Sequence, residues 1–186
     1  EELVKQIELF SRVKVNTFHG HLTENQAWRF EVKAYPALTS AESMTRFPGK
    51  YYTQEDCKAV MAAAQKHGVI VIPEIDMPGH SEAFKRAMGF DMQSEEGKKV
   101  LKAALDEVVE VFADAPYIHI GGDEVSTTPA YLNEMIAYVE SKGKKAGIWN
   151  PINGISQNQL NATLSQMWGT RGYAADGKAN IDCRYN

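Results

Sequence analysis

The run Val69-Ile70-Val71-Ile72-Pro73 constrains the fold more than any other stretch of the chain. An apolar run without alternation does not suit a strand with one wet face. It reads as a strand covered on both faces, as in parallel sheets flanked by helices. Polar residues crowd its carboxyl end: Glu74, Asp76, Pro78, Gly79 and His80. The stretch Tyr117-Ile118-His119-Ile120-Gly121-Gly122-Asp123-Glu124 closes in a similar way. Its β-branched Ile118 and Ile120 share one face, Tyr117 and His119 the other. Two glycines then break the strand and present two adjacent carboxylates. Ligands in parallel α/β folds bind at such strand ends. By local spacing alone, Asp123 and Glu124 also suit the cap of a following helix.

The rest of the chain alternates around these two strands. Leu3, Ile7 and Phe10 mark a helix over residues 1–11, and Val13, Val15 and Thr17 mark a strand over 13–19. Residues 19–52 read as a long, aromatic-rich loop, and loops of that length are usually functional. Thr53, with Asp56 three residues on, predicts a capped helix running to His67, with Gly68 as its stop. Ser94 caps a helix over 95–112. Pro129 and Gly143 bracket another over 129–142. Short strands follow at 146–149 and 164–168, and a last one is expected at 179–183.

This order implies a parallel α/β sheet, either doubly wound or a (β/α)8 barrel. The barrel is favoured because polar or aromatic residues end nearly every strand: His19, Asp76, Asp123, Trp149 and Trp168. No glycine-rich phosphate loop follows the first strand. A complete barrel typically takes ~250 residues and the chain has 186. The expectation is one domain over residues 1–186 that forms an incomplete barrel, about strands 2 to 7.

Composition sets outer limits. A hydrophobic share of 44% and a net charge of −4 suit a globular chain that buries a core. Mixed charges show no nucleic-acid footprint, and no run approaches the ~18 apolar residues of a membrane span. Cys57 and Cys183 form neither a disulfide framework nor a zinc pattern.

Four constellations carry chemistry. His19-Gly20-His21 puts two imidazoles on one side of a strand, a spacing that also suits a metal pair. Glu74-Ile75-Asp76-Met77-Pro78-Gly79-His80 sets a histidine beside carboxylates through a Pro-Gly turn. Asp123-Glu124 is the third. Trp149 and Trp168 at strand ends suit stacking on a sugar face, although tryptophans in a barrel commonly fill core. Trp28 has only the core reading.

Taken together these residues resemble glycoside hydrolase family 20, the β-N-acetylhexosaminidases. His19-Gly20-His21-Leu22-Thr23-Glu24-Asn25-Gln26-Ala27-Trp28-Arg29 resembles the block after that family's second barrel strand. Ile72 to His80 resembles its third-strand block, and His119 to Glu124 its catalytic block. Gly147-Ile148-Trp149-Asn150 and Gln166-Met167-Trp168 are similar to its fifth- and sixth-strand segments.

The resemblance implies retaining, substrate-assisted hydrolysis of terminal GlcNAc or GalNAc, an exception to the usual two-carboxylate scheme. Glu124 would be the acid and base, held protonated by a buried setting. Asp123 would stabilise the oxazolinium formed by the substrate's own acetamido oxygen. His80, Glu24 and Asp76 would support them, and Trp149, Trp168, His19 and His21 would meet the sugar. No metal or other cofactor is implied. The expected partner is an N-acetylhexosamine-containing glycan, with self-association through open barrel edges as a second contact. The whole protein is expected to be secreted, periplasmic or lysosomal rather than cytoplasmic.

The sequence departs from the family at Glu24-Asn25, where many members carry two aspartates, and at Asn150, where an acidic residue is common. The family's first-strand arginine and the sugar-binding residues of its last strands are not identifiable. Two other readings use the same residues. One is a metal-dependent amidohydrolase with His19 and His21 as ligands, which lacks histidines after His119. The other is a carbohydrate-binding barrel without catalysis.

Overall fold

The computed structural model describes residues 1–184. In chain order the elements are α1 (Glu2–Ser11), β1 (Thr17–His21), β2 (Thr23–Glu24), β3 (Ala27–Trp28), α2 (Gln54–Lys66), β4 (Ile70–Glu74), α3 (Glu82–Met88), α4 (Glu95–Val111), β5 (Tyr117–His119), α5 (Pro129–Ser141), β6 (Lys145–Asn150), β7 (Leu164–Met167) and β8 (Ala179–Asp182). Six strands form one parallel sheet in the order β1-β4-β5-β6-β7-β8. With the helices between them, this is the incomplete (β/α)8-type barrel expected from the sequence. Among the described residues, β1 and β8 are the sheet's edges. No helix among them is long and apolar enough to cross a membrane.

The helix ends follow their local chemistry. Thr53 and Asp56 close a reciprocal capping box on α2, each side chain accepting from the other's backbone N–H. The Ser94 hydroxyl accepts the Gly97 N–H on α4, and Thr128 accepts the Tyr131 N–H on α5. The apolar stripe of α4, including Leu101, Leu105 and Val108, is buried in the main core with Ile118 of β5 and Ile148 of β6. Removing that much apolar surface from water is the dominant favourable term in folding.

Three expectations need correction. The strand placed over residues 13–19 begins only at Thr17. Lys14 turns the chain at a φ of +65°, and Val15 N–H reaches back to Phe10 O. Val13 and Val15 are therefore exposed, and their alternation belongs to a turn. Residues 19–52 are not a plain loop. They hold the β2–β3 hairpin and two short 3-10 turns, with Trp28, Phe30, Val32 and Leu38 buried in the core. The Trp28 indole N–H donates to Phe30 O at 2.7 Å. Finally, α3 is an additional helix, ended by Gly89 in the left-handed region at a φ of +80°.

Candidate active site

Register across the sheet builds the floor of the site. His21 pairs with Glu74, Glu74 with His119, and His119 with Gly147. Four neighbouring strands thus contribute one residue each to a single level, the layered packing of a parallel barrel. Gly147 leaves the room that His119 occupies: a Cβ there would sit 2.8 Å from the imidazole Cδ2.

Glu74 is fully buried at the centre of this level. Its Oε2 lies 2.8 Å from His19 Nε2 and 3.0 Å from His21 Nδ1. Its Oε1 accepts the Trp149 indole N–H at 2.8 Å. Burial alone would push Glu74 up, but His119, His19 and His21 outweigh it and hold the carboxyl well below its usual range. His119 is itself held down by burial, and its Nδ1 accepts the Gly121 N–H at 3.2 Å. His21 faces Glu74 as a cation near neutrality, since its hydrogen bond to Glu74 raises it to about 9.

This pair has a pH signature. His21 binds its proton more tightly in the folded chain than at its ordinary value of 6.5. Its stabilising contribution is full below that value and is lost as pH rises through about 9. The melting temperature should fall over this window, and His21→Asn should flatten the fall. The same slope in the variant would reject the pairing.

A second group stands at the carboxyl ends of β4 and β5. His80 donates from Nδ1 to Glu24 Oε1 at 2.9 Å, since a carboxylate can only accept. Its Nε2 then faces Glu124 Oε2 at 3.4 Å, Asp76 Oδ2 at 3.9 Å and Asp123 Oδ2 at 4.0 Å. Burial opposes the charged imidazole, but Asp76, Glu24 and Asp123 outweigh it and raise His80. Asp76 is fully buried, and burial beside Glu74 and Asp123 pushes it up to about 8. Its Oδ1 accepts the Gly122 N–H at 3.1 Å. Gly121 is required here: at its φ of +70° a Cβ would lie 1.8 Å from that oxygen. Burial also raises Asp123, to about 6.

His80 and Glu124 both occupy the left-handed region, at φ of +47° and +52°. Strain of this kind in non-glycine residues persists only where the surroundings hold it, and it clusters at functional sites.

The fold thus gathers Glu24, Asp76, His80, Asp123 and Glu124 into one network, and His19, His21 and Trp149 into a second around Glu74. The two approach where His21 Nε2 lies 3.8 Å from Glu24 Oε2. Trp168 joins neither, because its indole donates to Pro151 O at 3.1 Å. The buried setting expected for Glu124 is absent: its side chain is 56% exposed, against 13% for Asp123. Asn150 is buried, donating to Ser165 Oγ and Tyr173 O.

Glu74 and His119 lie within the sequence blocks, but their residue types alone give them no role. Their signal is a carboxylate that ends the apolar run of β4, and a histidine alternating with Ile118 on β5.

Among the described residues, two groups bring ligand atoms within 4.8 Å of one another, as a cation would need: His19, Glu74 and His119, and Asp76, His80 and Asp123. In the first, a cation would compete with the Trp149 N–H and the His21 imidazolium for the two Glu74 oxygens. His19 and His21 lie against that carboxylate rather than forming an open metal pair.

A parallel barrel segment with a carboxylate pair at a strand end, backed by a histidine, suits a glycosidase-type barrel. Residues 1–89 match the glycosyl hydrolase family 20 catalytic domain. A β-hexosaminidase of Porphyromonas gingivalis is 36% identical over 151 residues, covering 67% of this chain and 19% of that protein. A β-N-acetylhexosaminidase of Cellulomonas fimi is 30% identical, covering 90% of this chain and 39% of that protein. The solved N-acetyl-β-hexosaminidase of Streptomyces plicatus superposes with a TM-score of 0.82 at 25% identity, over 97% of this chain and 44% of its own. The chain is a glycoside hydrolase family 20 barrel segment. It spans less than half the length of these relatives.

Proposed function

We propose that this chain carries the catalytic pair of a retaining β-N-acetylhexosaminidase acting on terminal GlcNAc or GalNAc of oligosaccharides or glycoconjugates. The observation that carries the reading is the contrast between two adjacent carboxylates. Asp123 is mostly buried, while Glu124 is exposed and 3.4 Å from His80. Neighbouring carboxyls in different surroundings take different roles.

In the first step the substrate's acetamido oxygen attacks the anomeric carbon as the bond to the leaving oxygen breaks, and Glu124 gives that oxygen its proton. Asp123 accepts the acetamido N–H and offsets the positive charge of the cyclic intermediate. In the second step water attacks the same carbon, Glu124 takes its proton, and the ring opens to restore the acetamide with retained configuration. His80, backed by Glu24, passes charge to and from Glu124, and Asp76 shapes the buried side of Asp123. Trp149 walls the acetamido pocket beside His19 and His21, and Trp168 adds a second wall from the end of β7. The open edges β1 and β8 also invite self-association, since unpaired edge strands template pairing.

The test is the full-length protein on an aryl N-acetyl-β-glucosaminide, with the first-formed anomer read by NMR and the mass of the 186-residue chain read by light scattering. Release of the β-anomer is expected, with a mass above the 20.7 kDa of one chain. Initial release of the α-anomer, or thiazoline binding without turnover, overturns the mechanism. A monodisperse monomer removes the self-association.

A further inference from the structure

We propose that Glu74 is a positioning residue that sets the plane of the Trp149 indole from beneath, a role that rests on the hydrolase reading above. The two oxygens of this carboxylate are divided between two tasks. Oε2 lies against His19 Nε2 at 2.8 Å and His21 Nδ1 at 3.0 Å, two close approaches that hold this end of the carboxylate on the histidine side. Oε1 accepts the indole N–H at 2.8 Å, with His119 Nδ1 farther off at 3.4 Å. An indole has one donor, so this bond fixes the rotation of the ring in its slot.

The two remaining faces of the ring's environment are also set. His119 meets the indole edge-on at 4.9 Å between centroids, and His19 lies tilted at 5.5 Å. The main chain of Trp149 is tied as well, its N–H donating to Gly121 O and its carbonyl accepting from Gln157 Nε2. Since Gly121 also borders Asp76, the indole and the catalytic turn share one piece of backbone.

A buried carboxylate is a costly way to fill a barrel. Its desolvation offsets most of what its partners return, and apolar side chains of similar volume commonly do as well or better. A tryptophan would bury its ring in an apolar slot without a charged acceptor. What the carboxylate adds is direction, because a charge-assisted hydrogen bond is short and about twice as strong as a neutral one. An acetamido pocket needs that direction: a wall tilted by a fraction of an ångström misplaces the nucleophilic oxygen, and misplacements of that order can cost large factors in rate.

The experiment uses the full-length protein labelled with ¹⁵N-tryptophan, with the Trp149 indole signal assigned through Trp149→Phe. In Glu74→Gln that signal should move upfield as its acceptor loses charge. Thiazoline affinity and kcat/KM should drop together by ~10-fold or more. The loss should be equal for good and poor aryl leaving groups, because the pocket and not the proton transfer is disturbed. Trp149→Phe keeps the carboxylate and serves if Glu74→Gln does not fold; it should weaken thiazoline binding similarly. An unmoved indole signal with unchanged thiazoline affinity overturns the proposal, as does unchanged affinity in Trp149→Phe. A wild-type protein that neither turns over aryl N-acetylhexosaminides nor binds thiazoline, while the indole signal still moves in Glu74→Gln, overturns instead the hydrolase reading on which the role rests.

Discussion

Glu124→Gln in the full-length protein should lower turnover by ~10²–10⁴ for a substrate with a poor leaving group, the usual contribution of a general acid. The expectation comes from placement. Glu124 follows the two glycines that end β5, sits at a φ of +52°, and holds its carboxyl 3.4 Å from His80 Nε2. Glutamine keeps the shape and loses the transferable proton. With a dinitrophenyl-type leaving group, departure needs little protonation and the first step should recover much of its rate. The second step still requires a base for water, so the intermediate should accumulate and a burst of leaving group should appear. His80→Ala should show the same leaving-group dependence at smaller amplitude, since His80 touches Glu124 rather than the substrate. A loss of equal size for every leaving group would reject Glu124 as the acid.

Much of the fold was legible because its signals are local. The apolar run at β4, the Thr53–Asp56 capping box and the Pro129/Gly143 bracket each specify an element within a few residues. The errors were local too. Val13 and Val15 alternate like a strand, yet the preceding helix closes its last turn on Val15. The buried Trp28 and Phe30 in residues 19–52 look like loop aromatics until the hairpin packs them.

The site was legible to the extent that its chemistry lies in contiguous blocks. Asp76 and His80 share one block, and Asp123 and Glu124 another. What no single stretch discloses is register. That His21, Glu74, His119 and Gly147 stand at one level follows only from the pairing of four strands far apart in sequence. Glu74 consequently read as the polar end of a strand, although it is the acceptor around which three histidines and Trp149 gather. The exposure of Glu124 is of the same kind. Burial is a property of what packs over a residue, and the residues that would do so are not its neighbours in sequence.

Asp123→Asn should weaken binding of a thiazoline mimic of the cyclic intermediate by ~10–100-fold, the loss of one charge-assisted hydrogen bond of about 1.5–3 kcal/mol. It should slow intermediate formation at least as much, because the charge it offsets develops only as the ring closes. The structure adds a pH dependence to this substitution. Burial raises Asp123 to about 6, with His80 opposing the rise, while Asp76 stands higher, at about 8. Between those values Asp76 is neutral and Asp123 is the anion that faces the site. A carboxylate that must be ionised to stabilise a cation is silenced as pH falls through its own pKa. The wild-type kcat/KM profile should therefore have an acidic limb near 6, steeper than any change in thermal stability over the same range. Asparagine cannot titrate, so in Asp123→Asn that limb should vanish and leave a lower, flatter profile. Thiazoline affinity should likewise lose its dependence on pH between 5 and 7. A variant that keeps both the limb near 6 and the wild-type thiazoline affinity would assign the charge stabilisation to another group, with Asp76 the nearest carboxylate to examine.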